Sequence, residues 1–267
     1  MSPSTPLVSI ITIVFNGELH LEQTIKSVLE QTYHNIEYIV IDGGSTDNSV
    51  SIIKKYSDKL AYWISEKDKG ISDAFNKGIS RATGEIVGLI NADDWYEPDA
   101  VEKVVSAIKG YDIAYGKIAY WKNEKKEMIT YGRDEFLLNE MSVNHPTVFV
   151  RREIYKKFGV FNTTYKFAMD YDLVLRLKIN RCQFVYIPSV LANMRWDGAS
   201  DKHWYKACKE ALQIKNHYLP KRKLFNSLFF LKQVGSIKFG RLLQKLHLDK
   251  LVHFYRRTLS PVKKIHS

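Results

Sequence analysis

The sequence has few cysteines, no long apolar stretch and a single acidic residue among its last fifty. Cys182 and Cys208 are its two cysteines, and they form neither a CxxC pair nor a metal-ligand pattern. They exclude a disulfide framework and a cysteine-based zinc site, and they favour a reducing cytoplasm. The first apolar segment, Val8–Phe15, is too short to span a bilayer and has no basic region before it, so it predicts a strand. No other apolar run approaches the ~20 residues of a membrane span, and we expect no integral membrane protein.

The net charge of +11 is concentrated at the C-terminal end. From Tyr218 onward there are twelve lysines and arginines against one acidic residue, Asp249, whereas the preceding 217 residues carry 28 of each sign. We interpret residues 218–267 as a basic amphipathic helical tail that binds an anionic membrane surface; the alternative is a helical pair that packs on the preceding domain. No recognition motif accompanies the tail, so we do not expect it to bind nucleic acid. Its apolar residues recur at helical spacing, at Leu224, Phe225, Leu228, Phe229, Leu242, Leu243 and Leu246.

The first half of the chain alternates short β-rich runs with helical patterns, which predicts an α/β fold with a parallel sheet covered by helices on both faces. The predicted strands are Val8–Val14, Ile36–Ile41, Leu60–Ile64, Ile86–Ile90 and Tyr111–Tyr115. The predicted helices are Leu19–Leu29, Asn48–Tyr56, Ile71–Arg81 and Asp99–Ile108. Ligands bind outside the carboxyl ends of such strands. Four polar loops therefore converge on one edge, at Phe15-Asn16, Asp42–Asp47, Glu66–Gly70 and Asn91–Asp94.

The second half is less regular. It predicts a β-hairpin over Lys117–Tyr131 with a charged tip at Lys122–Lys126, and later a strongly periodic helix over Asp170–Ile179. The other predicted elements are a strand at Thr147–Val150, a helix from Arg151, a strand at Gln183–Ile187 and a helix over Ser200–Tyr218.

Two acidic motifs follow predicted strands. Asp42, followed by two glycines, suits hydrogen bonding to a base or ribose, but the same segment also reads as a βα turn that caps the next helix. Asp93 and Asp94 follow a buried strand, where two adjacent carboxylates repel each other. A divalent cation shared with a diphosphate would remove that repulsion, and a capped turn is the alternative.

Three further candidates stand on loops or helix ends. Asp170 begins a helix, where it is either a cap or a general base that points into a cleft, and Arg176 can pair with Asp172. His145 precedes a proline and is either structural or catalytic. Trp196 lies in a loop that either stacks on an acceptor or forms an ordinary turn.

In this order and spacing, the motifs resemble family 2 glycosyltransferases of the GT-A fold, over roughly Leu7 to Ser200. The residues that carry the resemblance are Val8–Asn16, Ile41–Asp47, Asp68–Gly78, Gly84-Glu85, Asn91–Asp94 and Ala168–Leu173. The likeness is strongest to the small bacterial enzymes that build O-antigen, capsule and exopolysaccharide repeat units. Their signature motifs resemble Asp68–Gly70 through Asn76–Gly78, followed by Asn144-His145-Pro146 with Phe149. The resemblance implies a mixed, mostly parallel sheet in a domain of residues 1–217. Residues 1–116 would form its nucleotide-sugar half and residues 117–217 its acceptor half.

The resemblance also implies roles for single residues. Asp42, Phe15 and Asn16 would line the pocket for the uracil or ribose of a UDP-sugar, and Asp68, Lys69 and Asn76 would approach the nucleotide or donor sugar. Asp93, with Asp94 beside it, would hold Mn²⁺ or Mg²⁺ on the diphosphate. Asp170 matches the catalytic base of an inverting transfer. His145 and Trp196 would contact the acceptor, a lipid-linked glycan at the inner face of a bacterial cell membrane.

Departures from the family pattern refine this hypothesis. Asn91 stands where the first acid of the DxD motif usually lies, and Met169 where a glutamate commonly precedes the base. The Gln-x-x-Arg-Trp motif of processive members is incomplete, because Ala192 occupies the glutamine position, which predicts addition of a single sugar. Two alternatives are a sugar-phosphate nucleotidyltransferase, which would normally show a Gly-rich basic loop after the first strand, and a non-catalytic nucleotide-sugar or glycan-binding module.

Overall fold

A computed structural model of the chain describes residues 5–195 and 203–246, so Trp196 and the end of the predicted tail lie outside the described residues. The strands are β1 Val8–Val14, β2 Ile36–Asp42, β3 Tyr62–Ser65, β4 Ile86–Asn91, β5 Trp95–Tyr96, β6 Ile113–Lys122, β7 Lys125–Thr130, β8 Phe149–Arg151 and β9 Phe184–Arg195. The helices are α1 Leu21–Leu29, α2 Ser49–Lys55, α3 Ile71–Arg81, α4 Ala100–Ala107, α5 Arg152–Phe158, α6 Met169–Ile179, α7 Trp204–Tyr218 and α8 Lys223–Lys245.

The described strands form one mixed sheet in the order β3-β2-β1-β4-β8-β6-β9-β5, with β7 paired to β6. The first four strands of this order are parallel, as the strand–helix alternation predicts. Strand β8 is antiparallel to both neighbours, and β6 and β9 are again parallel. All seven residues of β1 are buried, which is typical of a parallel strand with helices on both faces. The GT-A-like mixed α/β architecture is therefore confirmed.

Two apolar clusters fill the two faces of the sheet. One includes side chains of α3, α5 and α6, such as Phe75, Tyr155 and Leu173. The other includes side chains of α1, α2 and α4, such as Ile25, Ile53 and Val104. Because helices cover both faces, a ligand can reach the sheet at the ends of its strands.

The elements of the second half depart most from the prediction. Strand β9 continues to Arg195, eight residues beyond the predicted end, because it pairs with β6 and then with the short strand β5. The β6–β7 hairpin is confirmed, and its two-residue turn has positive φ angles at Asn123 and Glu124, as in type I′ turns. His145 and Pro146 begin a short 3₁₀ helix ahead of β8.

Helices α7 and α8 follow the sheet domain. Ile214 of α7 is fully buried in the α6 side of the core, and α8 lies on α7 through contacts such as Tyr205 with Phe230. Across the part of the chain that the structure describes, no helix has the length and apolar character needed to cross a membrane.

Candidate active site

The carboxyl ends of the parallel strands bring the predicted motifs together. In the sheet register, Asp42 lies opposite Val14 on one side and Ser65 on the other, and Asn91 lies opposite Ile13. The loops that begin at Phe15, Asp42, Ser65 and Asn91 therefore leave one edge side by side. The convergence of four polar loops, predicted from the sequence, is present in the structure.

Asp42 is fully buried, and its carboxylate organises its own loop. It accepts hydrogen bonds from the backbone N–H groups of Gly44 and Ser45, at 3.1 and 3.0 Å, and from the hydroxyls of Ser45 and Ser65. Gly44 has a φ of +85°, a conformation that glycine adopts at low cost. Asp42 therefore fixes the shape of the loop that follows β2, through its hydrogen bonds to Gly44, Ser45 and Ser65.

The loop after β3 packs directly on the Asp42 loop. A Cβ at Gly43 would collide with the carboxylate of Asp68, so glycine is what allows the two loops to touch. Asp68 also accepts a hydrogen bond of 2.8 Å from the N–H of Gly70, and the N–H of Lys69 donates to Asp73 at 3.0 Å. These contacts hold the entry to α3 and leave the Lys69 side chain exposed at the edge.

The loop after β1 supplies one exposed aromatic ring. Asn16, at a φ of +51°, accepts a 2.9 Å hydrogen bond from the N–H of Thr46, and its own N–H donates to Ser45 at 2.8 Å. Phe15 is left 65% exposed. The amide of Asn16 is thus used inside the protein, whereas the ring of Phe15 is open to a ligand.

Asp93 and Asp94 differ sharply although they are adjacent. Asp94 is 1% exposed, its Oδ2 accepts a 3.3 Å hydrogen bond from Asn91, and its Oδ1 has no partner among the described residues. Burial, reinforced by the charge of Asp93, raises the pKa of Asp94 well above the ordinary aspartate value. The Asp93 carboxylate is partly exposed and makes no hydrogen bond or ion pair within residues 5–195 and 203–246.

This donor set fits a divalent cation. An orphaned buried carboxylate oxygen beside a second, free carboxylate matches the oxygen ligands of Mg²⁺ and Mn²⁺. Across residues 5–195 and 203–246 no cluster of three or more His, Cys, Asp or Glu side chains is placed to hold a metal, so a cation bound here would need phosphate oxygens or water to complete its coordination. Asn91, in the usual place of an acid, hydrogen-bonds Asp94 instead of adding a carboxylate.

Asp170 lies in the first turn of α6, close to His145. Its Oδ1 accepts a 2.8 Å hydrogen bond from the N–H of Tyr171. Burial raises the pKa of Asp170, and the nearby His145 opposes the shift. Burial lowers the pKa of His145, whose ring packs against Phe75 and Phe161 at 5.4 and 5.9 Å between ring centroids. A carboxylate with a raised pKa is suited to accept a proton near neutral pH.

Asn76 binds the backbone of a neighbouring segment, and its predicted contact with the donor stays a prediction. Its amide donates to the carbonyl of Phe161 and accepts from the N–H of Phe161, both at 2.9 Å. This double hydrogen bond ties α3 to the segment that leads to α6. Arg176 similarly pairs with the buried Asp172 at 3.6 Å, as the i, i+4 spacing suggests.

Three residues that sequence reasoning missed join the site. Arg195, at the end of β9, donates to the backbone carbonyl of Asp93 at 2.7 Å and stacks over Trp95 at 4.6 Å. Tyr120 of β6 is within electrostatic reach of both Asp94 and Asp170; burial first, and then these charges, raise its pKa to about 12. Glu210 of α7 binds the backbone just before α6. Arg195 belongs to the incomplete Gln-x-x-Arg-Trp pattern, but all three contacts join residues distant in sequence, so no local pattern predicts the contacts themselves.

Comparison with known proteins adds independent evidence. The family model described as glycosyl transferase family 2 matches residues 9–172. A glycosyltransferase of Mycobacterium tuberculosis, of uncharacterised activity, is 32% identical over 214 residues, which cover 73% of this chain and 77% of the relative.

Two solved structures share the fold at low identity. S. aureus TarS 1-349 in complex with UDP-GlcNAc has a TM-score of 0.63 and 18% identity, covering 78% of this chain and 66% of that chain. The mannosyltransferase PcManGT from Pyrobaculum calidifontis, in complex with GDP-Man and Mn²⁺, also has a TM-score of 0.63 and 18% identity, covering 84% and 70%. The chain is therefore a glycosyltransferase enzyme and belongs to glycosyl transferase family 2.

Proposed function

We propose that the protein transfers one hexose or N-acetylhexosamine from a nucleotide sugar, UDP-linked, to a hydroxyl of a lipid-diphosphate-linked saccharide, with inversion at the anomeric carbon. The observation that carries this proposal is the strand register around Tyr120: β9 pairs Asn193 with both Trp95, which directly follows Asp94, and Ala119, which precedes Tyr120. Tyr120 is also within electrostatic reach of both Asp94 and Asp170. In this proposal, the diphosphate corner and the candidate base border one space. The complexes of the two structural neighbours with UDP-GlcNAc and GDP-Man support a nucleotide-sugar donor.

The reaction needs one base and one stabilised leaving group. The partly buried carboxylate of Asp170 takes the proton of the acceptor hydroxyl, whose oxygen attacks the anomeric carbon as the bond to the diphosphate breaks. Asp93 and Asp94 would hold a divalent cation, which supplies charge neutralisation of the departing nucleoside diphosphate. Arg195 fixes the turn that carries these acids through its bond to the Asp93 carbonyl. The lowered pKa of His145 keeps its imidazole neutral beside the base.

In the donor pocket, some side chains are exposed to the nucleotide and others make hydrogen bonds that shape the loops. In this proposal the ring of Phe15 and the side chain of Lys69 meet the nucleotide directly, because both are exposed at the edge of the sheet. Asp42, Asn16 and Asp68 act chiefly by shaping the loops, since the structure engages their polar groups internally. Backbone groups of these loops are then available to the base and ribose.

An acceptor carried by a lipid places the enzyme at a membrane, and α8 offers the matching surface. An apolar stripe runs along the outer face of this helix and continues to the residue just after it, with each side chain between 49% and 77% exposed: Leu224, Leu228, Leu231, Phe239, Leu242 and, after the helix end, Leu246. The stripe is about 33 Å long at 1.5 Å per residue. Exposed basic side chains flank it, at Lys232, Lys238 and Lys245, and no acidic residue occurs between Tyr218 and Leu246.

Such a helix is suited to lie in the headgroup region of an anionic bilayer. The opposite face of α8 packs on α7, through Tyr205 with Phe230 and Arg241 over Trp204. Membrane binding and packing on the domain are therefore compatible interpretations of the tail, because the packed helix leaves its apolar stripe facing outward. We place the enzyme on the cytoplasmic face of a bacterial cell membrane.

The donor assignment is tested by thermal unfolding with UDP-sugars and GDP-sugars, each with Mn²⁺ and again with excess EDTA. A ligand that binds the native state raises the melting temperature. We expect a UDP-sugar to raise it, and EDTA to remove most of that increase. An equal response to GDP-sugars, or an increase that survives EDTA, would contradict the donor or the metal assignment respectively. Product analysis on a lipid-diphosphate acceptor then tests the acceptor class and the inversion.

A further inference from the structure

The carboxylate of Glu210, on α7, binds the backbone immediately before the helix of the catalytic base. It accepts hydrogen bonds from the N–H groups of Lys166 at 3.1 Å, Phe167 at 2.7 Å and Ala168 at 3.0 Å. Three backbone donors on one carboxylate are a charge-assisted arrangement, which is stronger than hydrogen bonds between neutral groups.

The sequence of α6 explains why this remote carboxylate matters. The N-cap position is Ala168, whose side chain cannot accept a hydrogen bond, and α6 has no side-chain cap of its own. The first N–H groups of a helix lack intrahelical partners, and a negative charge near them is favourable. Asp170 and Asp172 already place negative charge in the first turn, and Glu210 adds, from another helix, the acceptor for the N–H groups of residues 166–168.

Asp170 is the second residue of α6, so its direction depends on this first turn. The titratable groups that face it are His145 from the 3₁₀ helix, Tyr120 from β6 and Glu210 from α7. The Glu210 charge acts against ionisation of Asp170, whereas His145 acts for it. Glu210 therefore affects both the position and the pKa of the Asp170 carboxylate.

We propose that Glu210 is a positioning residue for the transfer reaction: by clamping residues 166–168, it fixes the first turn of α6 and holds Asp170 in line with the acceptor hydroxyl. The inference rests on the proposed function, because it requires Asp170 to be the base. It also connects chemistry to the membrane-facing part of the molecule, since α7 carries Glu210 on one side and packs against α8 on another.

The test compares Glu210→Gln with Glu210→Ala in the full chain, by steady-state kinetics across pH. Glu210→Gln keeps an acceptor oxygen for the clamp but removes the charge. We expect its kcat to fall about tenfold with the donor KM unchanged. We also expect the acid limb of its pH–rate profile to move to lower pH by on the order of half a unit, because loss of a neighbouring negative charge lowers the pKa of Asp170. Glu210→Ala, which also loses the clamp, should lose on the order of a hundredfold in kcat.

Glu153→Gln is the matched control, since Glu153 is an exposed glutamate of α5 and should leave both readouts at the wild-type values. Circular dichroism checks the fold of each variant, and Glu210→Gln keeps the test valid where Glu210→Ala does not fold. Wild-type kcat and an unmoved acid limb in Glu210→Gln would overturn the inference while an inactive Asp170→Asn upholds the proposed function. An active Asp170→Asn would overturn both.

Discussion

At the scale of single residues, two aspartates of the candidate site are equally buried but differ in their hydrogen bonds. Asp42 is fully buried and saturated by four donors, whereas Asp94 is equally buried with one oxygen unpaired. A buried polar atom without a partner costs about 1 to 3 kcal/mol. Asp42 therefore stabilises its loop. At Asp94, the oxygen that has no partner among the described residues would favour binding of a cation.

The first prediction concerns Asp94→Asn. Burying a carboxyl group that is ionised in the unfolded chain costs free energy, and the amide removes this cost, so the metal-free variant should melt about 2 to 4 °C above the wild type for each kcal/mol recovered. At the same time it should lose most of the stabilisation that Mn²⁺ and UDP give together. Asp93→Asn is the control: its side chain is partly exposed, so it should lose the same Mn²⁺ response with little change in the metal-free melting temperature. A metal-free Asp94→Asn that melts below the wild type would contradict this account.

The second prediction is a pH dependence. Burial raises the pKa of Asp170, so the base becomes protonated at a higher pH than an ordinary aspartate would. As the pH falls through this raised pKa, kcat should decline, with an acid limb clearly above the ordinary aspartate pKa of 3.8. The profile is measured at saturating Mn²⁺ and donor, where it reports the bound enzyme. An acid limb at or below the ordinary aspartate range would mean that another group is the base.

At the scale of elements, local patterns predicted most of the nucleotide-sugar half. Strand β1 and helix α3 were predicted with their observed bounds, because an uninterrupted apolar run and a 3.6-residue period are local signals. Strand β9 was predicted too short, since its second part is specified by pairing with β5 and β6 and not by its own composition. For the same reason a local motif predicts Asp170 as a site residue, whereas the contacts that bring Tyr120, Arg195 and Glu210 to the site have no local signal.

The third prediction concerns the link between α3 and α6. Asn76→Ala leaves the N–H and carbonyl of Phe161 without partners, so we expect a loss on the order of 2 kcal/mol in the free energy of unfolding, measured with denaturant. Asn180→Ala is the control, because its amide makes a single hydrogen bond at an exposed helix end and should cost little. If Asn76→Ala keeps its stability and raises only the donor KM, then Asn76 contacts the donor as the family resemblance implies.

At the scale of the whole molecule, the candidate site lies at one edge of the sheet, and α8 carries an exposed apolar stripe with basic residues beside it. The polar loops proposed to bind the nucleotide and the metal leave the parallel strands, and the proposed base comes from α6 on one face of the sheet. Helix α7 lies between that base and the apolar stripe of α8. Under the proposed function, binding of α8 to a membrane would hold the active site at a fixed distance from the lipid that carries the acceptor.

The fourth prediction tests the stripe and its basic flanks. The triple variant Lys232→Gln, Lys238→Gln and Lys245→Gln should weaken binding to anionic lipid vesicles on the order of a hundredfold, since each basic residue contributes on the order of 1 kcal/mol. Replacing Lys54, Lys109 and Lys156 by glutamine makes the same charge change on exposed residues elsewhere and should have little effect. Vesicle sedimentation measures the binding. Equal losses in the two triple variants would show that net charge alone, and not α8, attracts the membrane.

The most direct test of the central claim is the transfer rate of Asp170→Asn beside its affinity for the UDP-sugar with Mn²⁺. Because the base acts only in the chemical step, we predict that transfer falls about 10²- to 10⁴-fold while donor affinity and melting temperature remain close to the wild-type values. Full transfer activity in a folded Asp170→Asn enzyme would contradict the account.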